Sequence, residues 1–288
     1  MAVDVKVPKH IFADVLYYSP ISQESHGDGR EIVDSKYDNI RRVPIQDLRP
    51  RLRDFNLQQD GFELLRMEDQ HWDLNNQDEE IYRREIKEYL QILMQLIKRK
   101  TGARFAAPFI TVVRPRIYGK KDQETVTPYK SATVPRPHVD FSETSLPLLW
   151  DLVKDSNSEE DWKEGEKLMR ENSRCQVLGA WKPLAPIQRM PMAFLHPRSV
   201  ESEDYVRVSR PKTGLYYKGD LYLLRHSEDS RHQWYYLSDQ VPEELWLFTH
   251  VDEQAGCVGK VGHCAVEIPG TEEYPDRESV ETRVFLIY

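Results

Sequence analysis

The sequence predicts a mainly β fold, an antiparallel sandwich or barrel with helices packed outside it. Seven short apolar and aromatic runs follow Arg174, separated by Pro, Gly, Asp and Ser residues. No helices of about 10 to 15 residues fit between these runs, as a parallel βαβ sheet would require. One long amphipathic helix and two shorter ones precede them, so the helices belong outside the β core.

The predicted strands have apolar or alternating side chains and are bounded by turn-forming residues. The seven runs are Gln176–Trp181, Met192–Leu195, Leu215–Leu224, Gln233–Leu237, Leu245–Phe248, His263–Ile268 and Val280–Tyr288. Two earlier extended segments, Pro108–Val113 and Ser131–Val139, are expected to add strands to the same body.

The predicted helices are identified by their apolar spacing and by the order of their charges. Asn76–Gly102 has apolar residues three and four positions apart, acids in its first turn and bases in its last turn. Two shorter helices are predicted at Thr144–Lys154 and Ser158–Glu171, the second opened by a serine cap. The helical part of the chain therefore ends before the run of strands begins.

The chain is expected to form one domain. It contains no internal repeat, low-complexity tract or Gly/Ser linker, and its polar stretch Ser22–Lys36 indicates a loop in an N-terminal arm. We expect residues 1–104 to form this arm and helical support, and residues 105–288 to form the β core.

Composition excludes several classes of protein. Hydrophobic residues make up 39% of the chain, and the formal net charge of −8 with scattered bases argues against nucleic acid as the partner. Neither a membrane-length apolar run nor a secretory signal is present, so a soluble cytoplasmic protein with a small-molecule substrate is expected. A homodimer is allowed. Three cysteines without a CxxC pair favour reduced thiols over disulfides or a zinc ribbon.

Histidine next to a carboxylate is the strongest chemical signal. A His-x-Asp pair on an extended segment places both side chains on one face, and with a second, distant His it can hold Fe(II). Phosphate-binding, dinucleotide-binding, nucleophile-elbow and HExxH motifs are absent. The His-x-Asp pattern occurs four times, as His26–Asp28, His71–Asp73, His138–Asp140 and His250–Asp252.

Context favours one of these four pairs. His26 lies in a polar loop, His71 immediately precedes the long helix, and His250 is only 13 residues before the next histidine. His138 and Asp140, by contrast, end a proline-stiffened extended segment, and His263 follows 125 residues later, after most of the strands. That separation suits two strands facing each other across a barrel, so His138, Asp140 and His263 are the predicted catalytic metal ligands.

A 2-oxo acid co-substrate would need a fixed cation for its distal carboxylate, and arginine offers a bidentate fork. Arg277 stands with Ser279 on one side of an extended chain, 14 residues after His263. Arg283 precedes the last apolar run, 20 residues after His263. The spacing does not choose between the two arginines.

Several segments, in order, resemble the Fe(II)/2-oxoglutarate oxygenases of the asaB hydroxylase/desaturase group, which includes gibberellin desaturase-like and cephamycin hydroxylase-like enzymes. The likeness covers Phe105–Tyr288. The segments that carry it are Pro137-His-Val-Asp140, Gly179-Ala-Trp-Lys-Pro-Leu-Ala-Pro186, Trp234-Tyr-Tyr-Leu-Ser238 with Pro242-Glu-Glu244, and Arg277-Glu-Ser-Val-Glu-Thr-Arg283. The resemblance implies a double-stranded β-helix, the jelly roll of cupins.

The resemblance also implies the function. It places the metal triad on His138, Asp140 and His263, and the co-substrate residues on Arg277, Ser279 and Arg283. The implied enzyme uses Fe(II), 2-oxoglutarate and O₂ to oxidise a secondary-metabolite intermediate by hydroxylation, desaturation, cyclisation or endoperoxide formation, with 2-oxoglutarate decarboxylated to succinate.

Further side chains are predicted to line the substrate pocket. They are Tyr118, Phe141, Trp181, Lys182, Phe194 and His196. Lys182 replaces an arginine that is usual in the group. Cys264, beside a predicted ligand, is expected to point away from the metal because neighbours on a strand face opposite sides.

Two alternatives to this function are a cupin-like metalloenzyme that does not use 2-oxoglutarate and a jelly-roll binding module without a metal. Succinate formation would distinguish the first alternative, and Fe(II) binding would distinguish the second.

Overall fold

The computed structural model describes residues 10–19, 38–68, 71–114, 134–171, 173–210, 219–254 and 258–288. Strands dominate these ranges, which confirms the predicted mainly β fold. The described strands are β1 (His10–Tyr18), β2 (Asp38–Asp47), β3 (Phe62–Arg66), β4 (Phe105–Arg114), β5 (His138–Val139), β6 (Cys175–Pro183), β7 (Met192–Leu195), β8 (Tyr205–Arg210), β9 (Gly219–Leu224), β10 (Trp234–Tyr236), β11 (Glu244–Asp252), β12 (His263–Ala265) and β13 (Ser279–Ile287).

The described strands form two sheets. One has eight strands in the order β1-β2-β10-β7-β12-β5-β9-β8, and the other has five in the order β3-β11-β6-β13-β4. Neighbouring strands are antiparallel except β2 and β10, which run parallel. The antiparallel arrangement predicted from the closely spaced runs is therefore found.

One predicted strand is shorter in the structure than the sequence pattern suggests. Of Ser131–Val139, only His138 and Val139 pair as a strand, and residues 131–133 lie outside the described residues. Pro135 and Pro137 have no backbone N–H, so they cannot donate to a ladder. Residues 215–218 of another predicted run also lie outside the described residues.

The α-helices in the described part of the chain are α1 (Leu57–Asp60), α2 (Glu79–Thr101), α3 (Leu146–Ser156) and α4 (Glu159–Arg170). The three predicted helices match α2, α3 and α4. The side chain of Asp78 caps α2 by accepting from the backbone N–H groups of Glu80 and Ile81, and Gly102 ends it at φ 74°. Ser158 caps α4, as predicted.

Strands also form before residue 105, where the sequence analysis predicted only an arm and helical support. β1 and β2 extend the eight-stranded sheet, and β3 lies at the edge of the five-stranded sheet. In β1, Ala13, Val15 and Tyr17 are buried on alternate positions. This period-2 pattern is a strand signal that the prediction missed. The predicted loop Ser22–Lys36 lies outside the described residues.

The helices pack on both faces of the five-stranded sheet: α2 covers the face that points away from the eight-stranded sheet, whereas α3 and α4 pack with Val177 of β6 and Phe285 of β13 on the other face. Tyr89, Leu93 and Ile97 of α2 pack with Leu178 and Ala180 of β6. Within the described residues no helix is long and apolar enough to cross a membrane.

The inner faces of the two sheets meet through aromatic rings. Phe194 of β7 and Phe248 of β11 have ring centroids 5.3 Å apart. A Cβ atom at Gly179 would lie 2.3 Å from the Phe248 ring, so glycine makes room for that ring. The space between the sheets is where the predicted ligands are found.

Candidate functional site

The three predicted ligands meet between the sheets. His138 and His263 are register partners on the neighbouring strands β5 and β12, with ring centroids 4.5 Å apart. Asp140 Oδ1 lies 3.4 Å from His138 Nε2. One nitrogen of each histidine and one carboxylate oxygen lie within 4.8 Å of one another, and all three residues are buried. The structure thus brings together residues 125 positions apart, but on neighbouring strands of one sheet; the prediction that the two strands face each other across a barrel was wrong.

Both histidines are oriented by the same kind of hydrogen bond. The Nδ1–H of His138 donates to the carbonyl oxygen of Arg136 at 2.7 Å, and that of His263 donates to the carbonyl oxygen of Val261 at 3.2 Å. Because a neutral imidazole carries one proton, Nε2 of each ring keeps a lone pair. Such a backbone acceptor is typical of histidines that bind metal through the other nitrogen. The residues therefore fit a divalent transition metal.

Arg283 holds the carboxylate of Asp140. Its Nε and Nη2 atoms donate to Oδ2 at 3.0 and 2.7 Å, and Nη2 also lies 3.1 Å from Glu281 Oε1. Oδ1 faces His138, while Oδ2 is engaged by the guanidinium. Asp140, His250 and Glu281 form a second group with metal-ligand spacing, but the Arg283 guanidinium contacts both of its carboxylates. The position between these carboxylates is therefore occupied by the side chain of Arg283.

The electrostatics keep the predicted ligands in the forms that bind metal. Burial by itself would raise the pKa of Asp140, but the charge of Arg283 and the proximity of His138 and His250 hold that pKa well below its usual value. Burial lowers the pKa of His263 well below its usual range, and the proximity of His138 adds to this. An ionised carboxylate and a neutral imidazole are what a metal requires.

Arg277 and Ser279 form a second polar cluster at the start of β13. Arg277 donates to the carbonyl oxygen of Met190, and its guanidinium carbon lies 4.9 Å from the centre of the Trp181 ring. Arg277 Nε, Ser279 Oγ and Trp181 Nε1 are buried and have no hydrogen-bond partner among the described residues. These three unused donors, one of which belongs to the buried guanidinium itself, are suited to binding an anion.

Arg277 differs from Arg283 in its charge balance. Within the described residues no carboxylate forms an ion pair with Arg277, whose pKa is lowered to about 9 by burial and by the nearby charge of Arg114. Ser279 and Arg283 are four residues apart on one face of β13, which is about 13 Å along a strand. The two arginines that the sequence could not distinguish therefore occupy different environments.

His250 lies beside the triad, although its spacing from His263 led the sequence analysis to set it aside. By alternation along β11, His250 lies on the same face as Trp246 and Phe248, and a β-bulge, seen as a register shift between Thr249 and Val251, then interrupts the pairing of β11 with β6. His250 Nε2 lies 3.7 Å from Asp140 Oδ2. Burial lowers its pKa to about 4, so the ring is neutral. A polar residue inside the apolar stretch of β11 was the available signal.

The rest of the His250–Asp252 motif lies elsewhere. Arg174 and Gln176 both donate to the carboxylate of Asp252, so it does not join His250 in a ligand pair. Glu281, the acid beside Arg283, was also not anticipated. Both omissions concern side chains whose partners come from other strands.

Only some of the predicted pocket residues lie near the triad. Phe141 packs edge-on against His250, and Phe194 has its ring 6.5 Å from that of His263, so both lie near the triad. Trp181 lies beneath Arg277. His196 Nε2 instead contacts Asp60 at 3.2 Å, and Tyr118 lies outside the described residues.

Lys182 is a correction. Its ammonium lies 5.3 Å from the centre of the Trp72 ring, in the layer between β6 and α2, and it is 1% exposed. Because neighbours on a strand alternate, Lys182 points away from the face that carries Trp181. The same alternation turns Cys264 toward Ala193 and Trp234, away from His263, as expected.

The buried His/His/Asp cluster between the two sheets has the composition and spacing of a site that could hold a metal ion. The family model described as "Oxidoreductase/YMDC permease-like domain" matches residues 14–287, and the chain belongs to that family.

Characterised relatives match most of the chain. The alpha-ketoglutarate-dependent dioxygenase phiK of a fungal species (strain ATCC 74256) is 29% identical over 279 residues, covering 94% of each chain. The GA4 desaturase of the gibberellin cluster of Gibberella fujikuroi is 24% identical, covering 84% of this chain and 85% of its own. These relatives confirm the oxygenase group recognised from the sequence.

A solved structure has the same fold. The iron and alpha-ketoglutarate-dependent endoperoxidase NvfI superposes with a TM-score of 0.75 over 96% of this chain and 98% of its own, at 20% identity. This likeness confirms the predicted jelly roll.

Proposed function

We propose that the protein is a non-haem Fe(II)/2-oxoglutarate-dependent dioxygenase that oxidises a small secondary-metabolite substrate. The observation that carries the proposal is the convergence of His138, Asp140 and His263, with ligand atoms within 4.8 Å and both histidine Nε2 atoms free of the backbone acceptors. Two histidines and one carboxylate on one face of a metal leave open positions for a co-substrate and O₂.

His138, Asp140 and His263 hold the Fe(II). Bound Fe(II) supplies the oxidative chemistry with O₂, and 2-oxoglutarate is decarboxylated to succinate. The chain supplies the geometry: the carbonyls of Arg136 and Val261 fix the two rings, and Arg283 fixes the carboxylate of Asp140. The surrounding aromatic side chains keep bulk water away from the centre.

Arg277 and Ser279 bind the distal carboxylate of 2-oxoglutarate. Support comes from their unused buried donors and from the lack of a carboxylate partner for Arg277 among the described residues. A buried guanidinium without an anion is costly, and a bound carboxylate would remove that cost. Arg283, which already pairs with Asp140 and Glu281, has the different role of holding the metal carboxylate.

The substrate is a small molecule with apolar surface, since Phe141, Phe194 and Phe248 surround the triad. The relatives named as dioxygenases, a desaturase and an endoperoxidase support hydroxylation, desaturation, cyclisation or endoperoxide formation as the outcome. We place the activity in the cytoplasm and in one oxygenase domain of residues 1–288.

Anaerobic addition of Fe(II) and then 2-oxoglutarate to the purified protein tests the proposal. We expect a weak visible charge-transfer band, and succinate formation once O₂ is admitted. Metal binding without the band or succinate would favour a cupin-like enzyme that does not use 2-oxoglutarate. No Fe(II) binding would favour a metal-free binding module.

A further inference from the structure

His250 is a buried polar side chain to which neither the sequence nor the proposed reaction gives a role. Its side chain is 0% exposed, and neither ring nitrogen has a hydrogen-bond partner among the described residues. A neutral imidazole has one donor and one acceptor to satisfy. Buried polar groups that lack partners are uncommon, and each one calls for a functional or structural reason.

The two oxygens of Asp140 have different neighbours, and His250 lies on one side only. Oδ1 is 3.4 Å from Nε2 of His138, on the side of the triad. Oδ2 accepts two hydrogen bonds from Arg283 and lies 3.7 Å from Nε2 of His250. A shift of about half an ångström would bring His250 within hydrogen-bond distance of Oδ2.

The packing around His250 directs its ring toward Asp140. Phe141 and Phe248 both meet the ring edge-on, with centroids 5.2 and 5.0 Å away. Side chains alternate along β11, so His250 lies on the same face as Phe248 and points into the space between the sheets. Aromatic walls on two sides restrict the rotation of the imidazole, so its nitrogens have a defined direction.

We infer that His250 is a positioning residue of the metal centre, whose Nε2–H donates to Asp140 Oδ2 when the metal is bound. Together with Arg283 it holds Oδ2 back and keeps Oδ1 turned toward the metal. Hydrogen bonds to a ligating carboxylate commonly set its orientation in this way. The inference rests on the proposed function, because it requires His138, Asp140 and His263 to bind Fe(II).

Three substitutions distinguish this role from simple packing. His250→Gln places an amide nitrogen near the position of Nε2, His250→Asn places it near Nδ1, and His250→Phe keeps a ring without a donor. Anaerobic calorimetric titration with Fe(II) alone measures the Kd of each variant. We expect Phe and Asn to weaken binding by about 10- to 100-fold and Gln to retain wild-type affinity.

Val251→Ala is the matched control, because Val251 is the next buried residue of the same bulge and has no polar group. We expect it to lower the midpoint of thermal unfolding without changing the Kd for Fe(II). Thermal unfolding of the His250 variants shows which of them fold, and the comparison of Gln with Asn remains decisive if the Phe variant does not.

Two results would overturn the inference while leaving the proposed function intact. One is wild-type Fe(II) affinity in a folded Phe variant, and the other is equal affinity of the Gln and Asn variants. A wild-type protein that binds no Fe(II) would instead overturn the proposed function, and the role of His250 with it.

Discussion

Two of the clusters that place a buried histidine beside a carboxylate differ in how fully their polar atoms are paired. In the first cluster, which we call the Tyr17 cluster, His232 contacts the Tyr17 hydroxyl through Nδ1 and Asp204 through Nε2, both at 3.1 Å. Trp234 donates to the same hydroxyl at 2.7 Å, and Arg231 donates to Asp204 at 2.6 Å. Every ring nitrogen in this cluster has a partner, and Nε of Arg231 is the one named polar atom of the cluster that is buried without one among the described residues.

The proposed metal centre and its surroundings instead contain several buried polar atoms without hydrogen-bond partners. Both nitrogens of His250, Nε of Arg277 and the hydroxyl of Ser279 are buried without hydrogen-bond partners among the described residues. Nε2 of His138 and of His263 faces the carboxylate of Asp140 and the neighbouring ring instead of a backbone acceptor. Unused polar capacity is concentrated where a metal and an anion are proposed to bind.

The comparison shows that burial alone does not mark a functional histidine. His232 and His263 are both buried next to acids, but only the second retains a lone pair aimed at a shared point. Buried polar atoms that are hydrogen-bonded to one another stabilise the fold, whereas buried polar atoms without partners are available to bind a ligand. Substitutions should therefore change stability in one cluster and ligand affinity in the other.

The largest effect is expected from the predicted ligands. His138→Ala should weaken Fe(II) binding by more than about a hundredfold. Loss of a residue that only hydrogen-bonds to a metal ligand already lowers metal affinity by about 10- to 100-fold. Anaerobic calorimetry measures the affinity, and circular dichroism confirms the fold. His232→Phe serves as the control with unchanged affinity. Unchanged binding in His138→Ala would remove the triad assignment.

The two arginines should separate next. Arg277→Met should weaken 2-oxoglutarate binding by about 2–3 kcal/mol, the range for charge-assisted hydrogen bonds, and leave Fe(II) affinity unchanged. Arg283→Met should instead weaken Fe(II) binding, because Asp140 loses two hydrogen bonds. Titration of the charge-transfer band with 2-oxoglutarate, and of the protein with Fe(II), measures both. An exchange of these effects would reverse the assignment.

In the Tyr17 cluster, His232→Phe should lower the free energy of unfolding by about 2–3 kcal/mol, because it leaves buried polar atoms of Tyr17 and Asp204 with fewer partners. Urea denaturation measures the change. Fe(II) affinity should not change. A loss of Fe(II) affinity without a loss of stability would contradict the division between the two clusters.

The smallest effect is a pH dependence of stability. Burial lowers the pKa of His232; Asp204 and Asp229 oppose this shift, while the charge of Arg231 adds to it. The unfolded chain, whose histidine pKa is about 6.5, therefore binds a proton before the folded chain does. This contribution to stability is complete above about pH 6.5 and is lost as the pH falls below it.

The difference in unfolding free energy between the wild type and His232→Phe, followed from pH 8 to pH 5, isolates that contribution. The difference should shrink as the pH falls, because the wild type loses the contribution and the variant does not have it. A difference that is constant or grows at low pH would show that His232 is not held neutral by the fold.

Local features of the chain were predictable because they depend on neighbours in sequence. The helix α2 ends at Gly102 as expected and is capped by Asp78, two residues after the predicted start at Asn76. Asn76 instead accepts a hydrogen bond from the backbone N–H of Asp78 in the preceding turn. The strands β6, β7 and β13 were predicted from continuous apolar runs. The predicted metal ligands were chosen from four His-x-Asp motifs by their sequence context.

Features that depend on several strands were not predictable. Alternation puts His250 on the same face of β11 as Phe248, but its approach to Asp140 depends on how β5 and β11 of different sheets are placed, which no pattern within one strand reveals. Alternation along β6 puts Trp181 and Lys182 on opposite faces, but which of the two faces meets the eight-stranded sheet depends on how the sheets pack, and both side chains are buried.

By itself, the sequence determined the kind of fold and the positions of the helices and most strands, and it singled out the three residues that the structure brings together as a His/His/Asp cluster. These properties come from periodicity and from local chemistry, which each segment carries with it. The tertiary structure alone decided which arginine meets Asp140, which has no carboxylate partner among the described residues, and which extra histidine lies beside the proposed metal ligands. Those outcomes depend on the register of strands far apart in the chain, where a shift of one residue turns every side chain to the other face.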